Sequence, residues 1–147
     1  MANITPYIRA QYPTIEGNDR QYFENEFRKI QQALNATIEA LIPDTEASTI
    51  ATGAISVMAS SHPLKLLTVD TEGAAASDDL DTITGGKNGQ LVLVRATDSA
   101  RSVVAKDATG NLALAGDMTL DNAEDTLTLM SVSGTSWVEV ARSNNGA

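Results

Sequence analysis

Beyond Pro43 the chain is interrupted, roughly every ten residues, by clusters of glycine, aspartate, asparagine or serine, and between them apolar and polar side chains alternate. Strands this short, joined by turns this frequent, predict a mainly β unit. The expected form is short antiparallel strands in a sandwich, barrel or prism, preceded by an N-terminal α-helix. Residues 54–59, 64–69, 80–83, 90–95, 102–106, 111–115, 118–120, 126–130 and 136–141 read as strands. Alternation is clearest at 89–95 and at 125–130, where Leu127 and Leu129 share one side and threonines the other. Thr71-Glu72-Gly73, Gly85 to Gly89, Asp107 to Gly110, Gly116-Asp117 and Ser133-Gly134 read as turns, and 74–79 as a loop. No exact repeat is present, although 89–93 and 110–114 echo each other weakly.

Aromatic residues make up 4% of the chain, and they are unevenly placed. Tyr7, Tyr12, Tyr22, Phe23 and Phe27 precede Pro43; Trp137 alone follows it. A β region filled with Leu, Val, Ile and Ala is expected to form a thin core, with burial between subunits completing it. Trp137 alternates with Val138 and Val140 and shares its face with Glu139, so it is expected to be half-buried, in the core, at a subunit interface or against a ligand.

Three segments follow from this division: an arm at 1–17, a helix at 18–42 and a β domain at 43–147. The arm has neither helical nor strand periodicity, and Pro6, Pro13 and Gly17 punctuate it. Its Tyr7, Ile8 and Tyr12 are apolar enough to dock on another surface, which makes it a candidate anchor. Asn18 and Asp19 suit a helix N-terminus, and Ile42-Pro43 ends the helix. Between them Phe23, Phe27, Ile30, Leu34 and Leu41, with Thr37 in the remaining slot, recur at 4-3-4-3-4 spacing. That stripe reads as the narrow seam of a helical bundle, and Ile38 widens it slightly, which keeps an ordinary amphipathic helix as the alternative. Glu24 and Arg28 stand at a supporting i, i+4 spacing. A helix from Asp19 to Leu41 rises about 35 Å and is marginal alone in water, so it needs a partner.

Net charge is −9, with four basic and five acidic residues up to Pro43 and six against fourteen beyond it. An acidic β region argues against nucleic acid and anionic membrane as partners. The absence of cysteine excludes disulfides, thiolate metal sites and cysteine nucleophiles. No run approaches the roughly 20 apolar residues of a membrane span, and the first residues lack the form of a signal peptide, so synthesis in the cytoplasm is expected.

The chemistry on offer is sparse. His62, the one histidine, precedes Pro63 in a turn and has no nucleophile elbow to serve. Asp78, Asp79 and Asp81, and Asp117, Asp121, Glu124 and Asp125, lack calcium-loop spacing and read as turn residues on a solvated acidic edge. Gly85 to Gly89 lacks the step from lysine to serine or threonine that leads a phosphate loop into its helix. No catalytic residue, metal site or cofactor is assigned, and the chain is expected not to be an enzyme.

The ordered series Thr71-Glu-Gly, Ser77-Asp-Asp-Leu-Asp-Thr-Ile-Thr-Gly-Gly86, Gly89-Gln-Leu-Val-Leu, Lys106-Asp-Ala-Thr-Gly-Asn-Leu112, Thr126-Leu-Thr-Leu and Trp137-Val-Glu-Val-Ala-Arg-Ser-Asn144 resembles the β modules of tailed-bacteriophage virion proteins, the tail fibre, spike and head fibre proteins. The likeness is one of ordered pattern over about residues 50–145. It implies a virion structural protein: a short trimeric fibre, spike or head decoration whose N-terminal arm joins a capsid, tail or adaptor protein. The competing reading is a carbohydrate-binding adhesin that recognises host glycan through Gly85 to Gly89 or the Trp137 face.

Overall fold

The computed structural model describes residues 19–58 and 62–145. The chain divides into two compact units, residues 1–42 and 43–147. The first contains helix α1, Asp19–Leu41. Asp19 places a carboxylate in the first turn, where the exposed N–H groups favour negative charge. Arg20 and Glu24 pair at 3.0 Å one turn apart, and the Thr37 hydroxyl donates to the Ala33 carbonyl at 2.9 Å. After Ile42, whose N–H donates to Glu39 O, Pro43 has no N–H with which to continue the ladder.

The second unit is built from β1 (Asp44–Thr49), β2 (Ala54–Val57), β3 (Leu64–Asp70), β4 (Ser77–Leu80), β5 (Thr82–Gly85), β6 (Leu91–Ala96), β7 (Ser102–Ala105), β8 (Leu112–Ala113), β9 (Met118–Leu120), β10 (Thr126–Val132) and β11 (Ser136–Ser143). They form a six-stranded sheet in the order β1-β3-β6-β10-β11-β8, a pair β2-β5 and a three-stranded sheet β4-β7-β9. The chain is thus mainly β with one N-terminal helix.

The direction of pairing corrects the expectation of antiparallel strands. β1-β3, β3-β6, β2-β5, β4-β7 and β11-β8 are parallel; only β10-β11, β10-β6 and β7-β9 are antiparallel. A parallel neighbour requires a long return, and here each return runs through strands of the other sheets. The chain winds: Asp44 lies opposite Lys65, Leu64 opposite Leu91, Ala54 opposite Thr82 and Ser77 opposite Ser102. The result is a short, solenoid-like stack. Its last three strands break the winding, as β9 runs against β7 and β10 against β6.

Winding also explains why a few small aliphatic residues suffice for the core. One continuous cluster runs from Ile50 through Leu67, Val69, Leu80, Ile83, Val92, Val94, Val103, Leu120, Leu127 and Leu129 to Trp137. A coil interior is narrow, and Val, Leu and Ala fill it within one chain.

Two strands are not apparent from hydrophobic alternation. β1, Asp-Thr-Glu-Ala-Ser-Thr, turns Asp44 and Glu46 toward Lys65 of the adjacent strand, so its partners are ionic and its pattern is polar on both faces. β4, Ser-Asp-Asp-Leu, was expected to be mostly loop; only Leu80 enters the core, while Asp78 accepts the Glu72 N–H at 2.8 Å. Close packing between coils sets one glycine requirement: a Cβ on Gly110 would lie 2.2 Å from Asp81 O.

Candidate functional site

Along α1 the seam predicted from spacing lies open. Phe23, Phe27, Ile30, Leu34, Ile38 and Leu41 are each between 45% and 75% exposed. Six large apolar side chains along one stripe of a 23-residue helix are a strong signal, because a surface helix ordinarily turns such residues inward. The Tyr22 and Phe23 rings meet edge to face, with centroids 5.9 Å apart. Glu26, off the stripe, is buried and accepts from Lys29 Nζ at 2.8 Å.

Trp137 lies in the core, one of the placements expected, and is buried more deeply than expected. It is 0% exposed, and its Nε1 donates to Ile83 O at 3.0 Å. Its ring closes against Gly86, where a Cβ would stand 2.7 Å from the indole. The half-buried placement is corrected: in this structure the ring belongs to the core of its own chain and offers no stacking face. Glu139 shares the face of Trp137, as expected, and the strand bulges just beyond it. Leu129 pairs with Glu139 and Thr128 with Ala141, so Val140 bulges outward and is exposed. Glu139 instead takes a two-pronged contact from Arg142 and the Ala115 N–H at 2.8 Å.

The Gly85 to Gly89 segment is a turn held by its own backbone and Gln90. Gln90 N–H donates to Lys87 O at 2.9 Å, and Lys87 N–H to Gln90 Oε1 at 3.0 Å. Its amides are thus partly consumed by the turn itself. The carboxylates singled out in the sequence also serve the backbone. Asp125, fully buried, accepts from the N–H groups of Asp121, Asn122 and Asn145. Asp117 pairs with Lys106 and accepts the Asp107 N–H. Among the described residues no group of three or more His, Asp or Glu side chains is arranged to hold a metal.

Two of these structural pairs perturb one another's charge. The Arg142 guanidinium hydrogen-bonded to Glu139 holds that carboxyl below its ordinary value, aided by the Ala115 N–H and opposed by burial. Lys106 does the same to Asp117, and Asp117 in turn raises Lys106.

Sequence reasoning missed two polar devices. Lys65 is only 1% exposed, facing the coil interior; its Nζ reaches Glu46 at 2.5 Å, Asp44 at 3.5 Å and the Met58 carbonyl at 2.9 Å. Asn111 gives its Nδ2 to the carbonyls of Ile83 and Thr135 and accepts the Ile83 N–H at Oδ1. That side chain thereby makes on β5 the pair of bonds a neighbouring strand would make. The candidate anchor residues Tyr7, Ile8 and Tyr12 lie outside the described residues. No described helix is long and apolar enough to cross a membrane.

No family model matches the chain, and no curated protein matches it. A solved structure described as a chaperone-substrate complex overlaps 66% of this chain at 18% identity and a TM-score of 0.41, a likeness too slight to carry an argument. The overlap spans 16% of that structure's own chain.

Proposed function

We propose that this chain is a bacteriophage virion structural protein: a short homo-oligomeric fibre, spike or head decoration. In this reading the helices bundle, the 1–17 arm joins another virion protein, and the β domain serves as the projecting part. The observation that carries it is the open seam on α1, where six large apolar side chains at bundle spacing have nothing in their own helix to cover them. The acidic, wound β unit is consistent with a rigid, soluble projection, and the sequence resemblance to phage β modules supplies the virion context. Trimer is favoured mainly by that resemblance, with the bulk of Phe23 and Phe27 at the start of the seam suiting more than two helices. A glycan-binding role through Trp137 is not carried forward, since its ring is inside.

The test is physical before it is biological. Sedimentation of the full chain at micromolar concentration is expected to give a multiple of the chain mass, and gold-labelled C-termini are expected at fixed positions on phage particles. A single-chain mass overturns the self-association, and unlabelled particles overturn the virion assignment.

A further inference from the structure

Lys65 is a buried amine with two carboxylates in reach. On β3 it faces the coil interior beside Leu67 of its own strand and Val92 of β6, and its register partner across the parallel pair β1-β3 is Asp44. Its Nζ donates to Glu46 Oε2 at 2.5 Å and to Met58 O at 2.9 Å, while Asp44 Oδ2 stands at 3.5 Å, too far for a strong hydrogen bond. The Glu46 carboxylate is itself fixed, taking the Met58 N–H on both oxygens at 3.2 Å. One carboxylate thus holds the amine while a second stands beside it.

Burial differs along the trio in the way a condensation needs. The Lys65 and Glu46 side chains are 1% and 7% exposed, whereas Asp44 is 38% exposed and opens to solvent. An amine with a base on one side and a carboxyl group on the other is an intramolecular nucleophile, and the spacing is close to the roughly 3–3.5 Å from which such reactions proceed. Burial also favours the product: an ammonium and a carboxylate become one neutral amide, which a low-dielectric interior holds at less cost than two charges.

We propose that Lys65 Nζ and Asp44 Cγ join in an intramolecular amide, with Glu46 as the base. The Lys65 ammonium gives one proton to Glu46, and the freed lone pair attacks Asp44 Cγ, so that a C–N bond forms as one C–O bond breaks. The departing oxygen takes back the proton held by Glu46 and a second proton from the nitrogen, and leaves as water on the exposed side of Asp44. Nothing is oxidised or reduced and no co-reactant is needed. Glu46 ends as a carboxylate, with the Met58 N–H and the new amide N–H as its donors. An ammonium ordinarily keeps its proton beside a carboxylate, so closure is slow and the ion pair is the form in which the chain first folds.

The bond fastens the chain where it enters the β unit, because Asp44 is the first residue of β1 and β1 is an edge of the six-stranded sheet. A pull arriving through Pro43 is then borne by a covalent link into β3 rather than by the hydrogen bonds of an edge strand. This holds whether or not α1 associates with other copies.

The experiment follows the intact mass of the full chain under denaturing conditions, from fresh purification through prolonged warming below the unfolding transition. Loss of one water is expected, with a branched peptide joining the segments of Asp44 and Lys65 after proteolysis. Asp44→Ala and Lys65→Arg, which keeps the charge, are expected to hold their full mass. Glu46→Gln is expected to slow closure by about a hundredfold, as loss of a general base does, with Trp137 fluorescence reporting that the fold is kept. Should Glu46→Gln lose that signal, the branched peptide of the wild type alone decides. A folded wild-type chain that keeps its full mass throughout overturns the bond, as does a loss of water that persists in Asp44→Ala or yields no branched peptide. Closure undiminished in folded Glu46→Gln, or a branch joined at Glu46, overturns the roles assigned here. Self-association is read separately, by sedimentation, and none of these outcomes alters it.

Discussion

Lys65 shows how one side chain can write the conformation of a segment twenty residues away. With its ammonium inside the coil, its partners must come from the strand beside it, and the register of Asp44 with Lys65 brings Asp44 and Glu46 within reach. β1 therefore holds as a strand without apolar inward residues. Removing one partner leaves an uncompensated buried charge, whereas replacing the pair with apolar groups need cost little. Glu46→Ala is expected to destabilise the β unit by about 3–5 kcal/mol, and Glu46→Leu/Lys65→Met by much less, in urea unfolding followed through Trp137. Equal losses would show that the ion pair itself, not the orphaned charge, stabilises the strand. Asp44-Thr-Glu is silent in any reading of hydrophobic pattern, because its reason lies in a lysine that an ordinary strand would point to solvent.

At the level of elements, α1 and most strands were legible because each has its own periodicity. The helix seam reads directly, and β9 has the bounds that alternation indicates, Met118–Leu120. Pairing direction was not legible: Gly-Asp and Ser-Gly turns look alike whether the chain reverses or bends to a new face of a coil. The final strands are where side-chain electrostatics fasten one element to another. Arg142 of β11 bonds to Glu139 and to the carbonyls of Gly116 and Asp117, while Asp117 pairs with Lys106 just after β7. Glu139 and Asp117 are both held below their ordinary values when folded, so the folded chain binds fewer protons there than the unfolded chain. Their contribution is full above the ordinary carboxylate range, near pH 4, and is lost as pH falls through the lowered values. Melting temperature is expected to drop on acidification below that range, and Arg142→Gln to flatten the Glu139 part of the drop. An acid limb unchanged by Arg142→Gln would show that other carboxylates set it.

For the whole molecule, the two units answer different demands. The β unit has a continuous core within one chain, from Ile50 to Trp137. The helix has an exposed seam and is of a length that is marginal alone, so in the proposed reading its order is tied to association. A structure that is ordered only in an assembly melts at a temperature that depends on concentration; one that folds within a chain does not. Two transitions are therefore expected on heating the full chain. The helical signal at 222 nm should move to lower temperature with each tenfold dilution, while the near-ultraviolet signal of Trp137 stays close to fixed. Leu34→Asp, which would crowd carboxylates into the desolvated centre of a bundle, should abolish the first transition and leave most of the second. If both signals instead fall together and without dependence on dilution, the helix draws its order from its own chain and the seam is not an assembly surface.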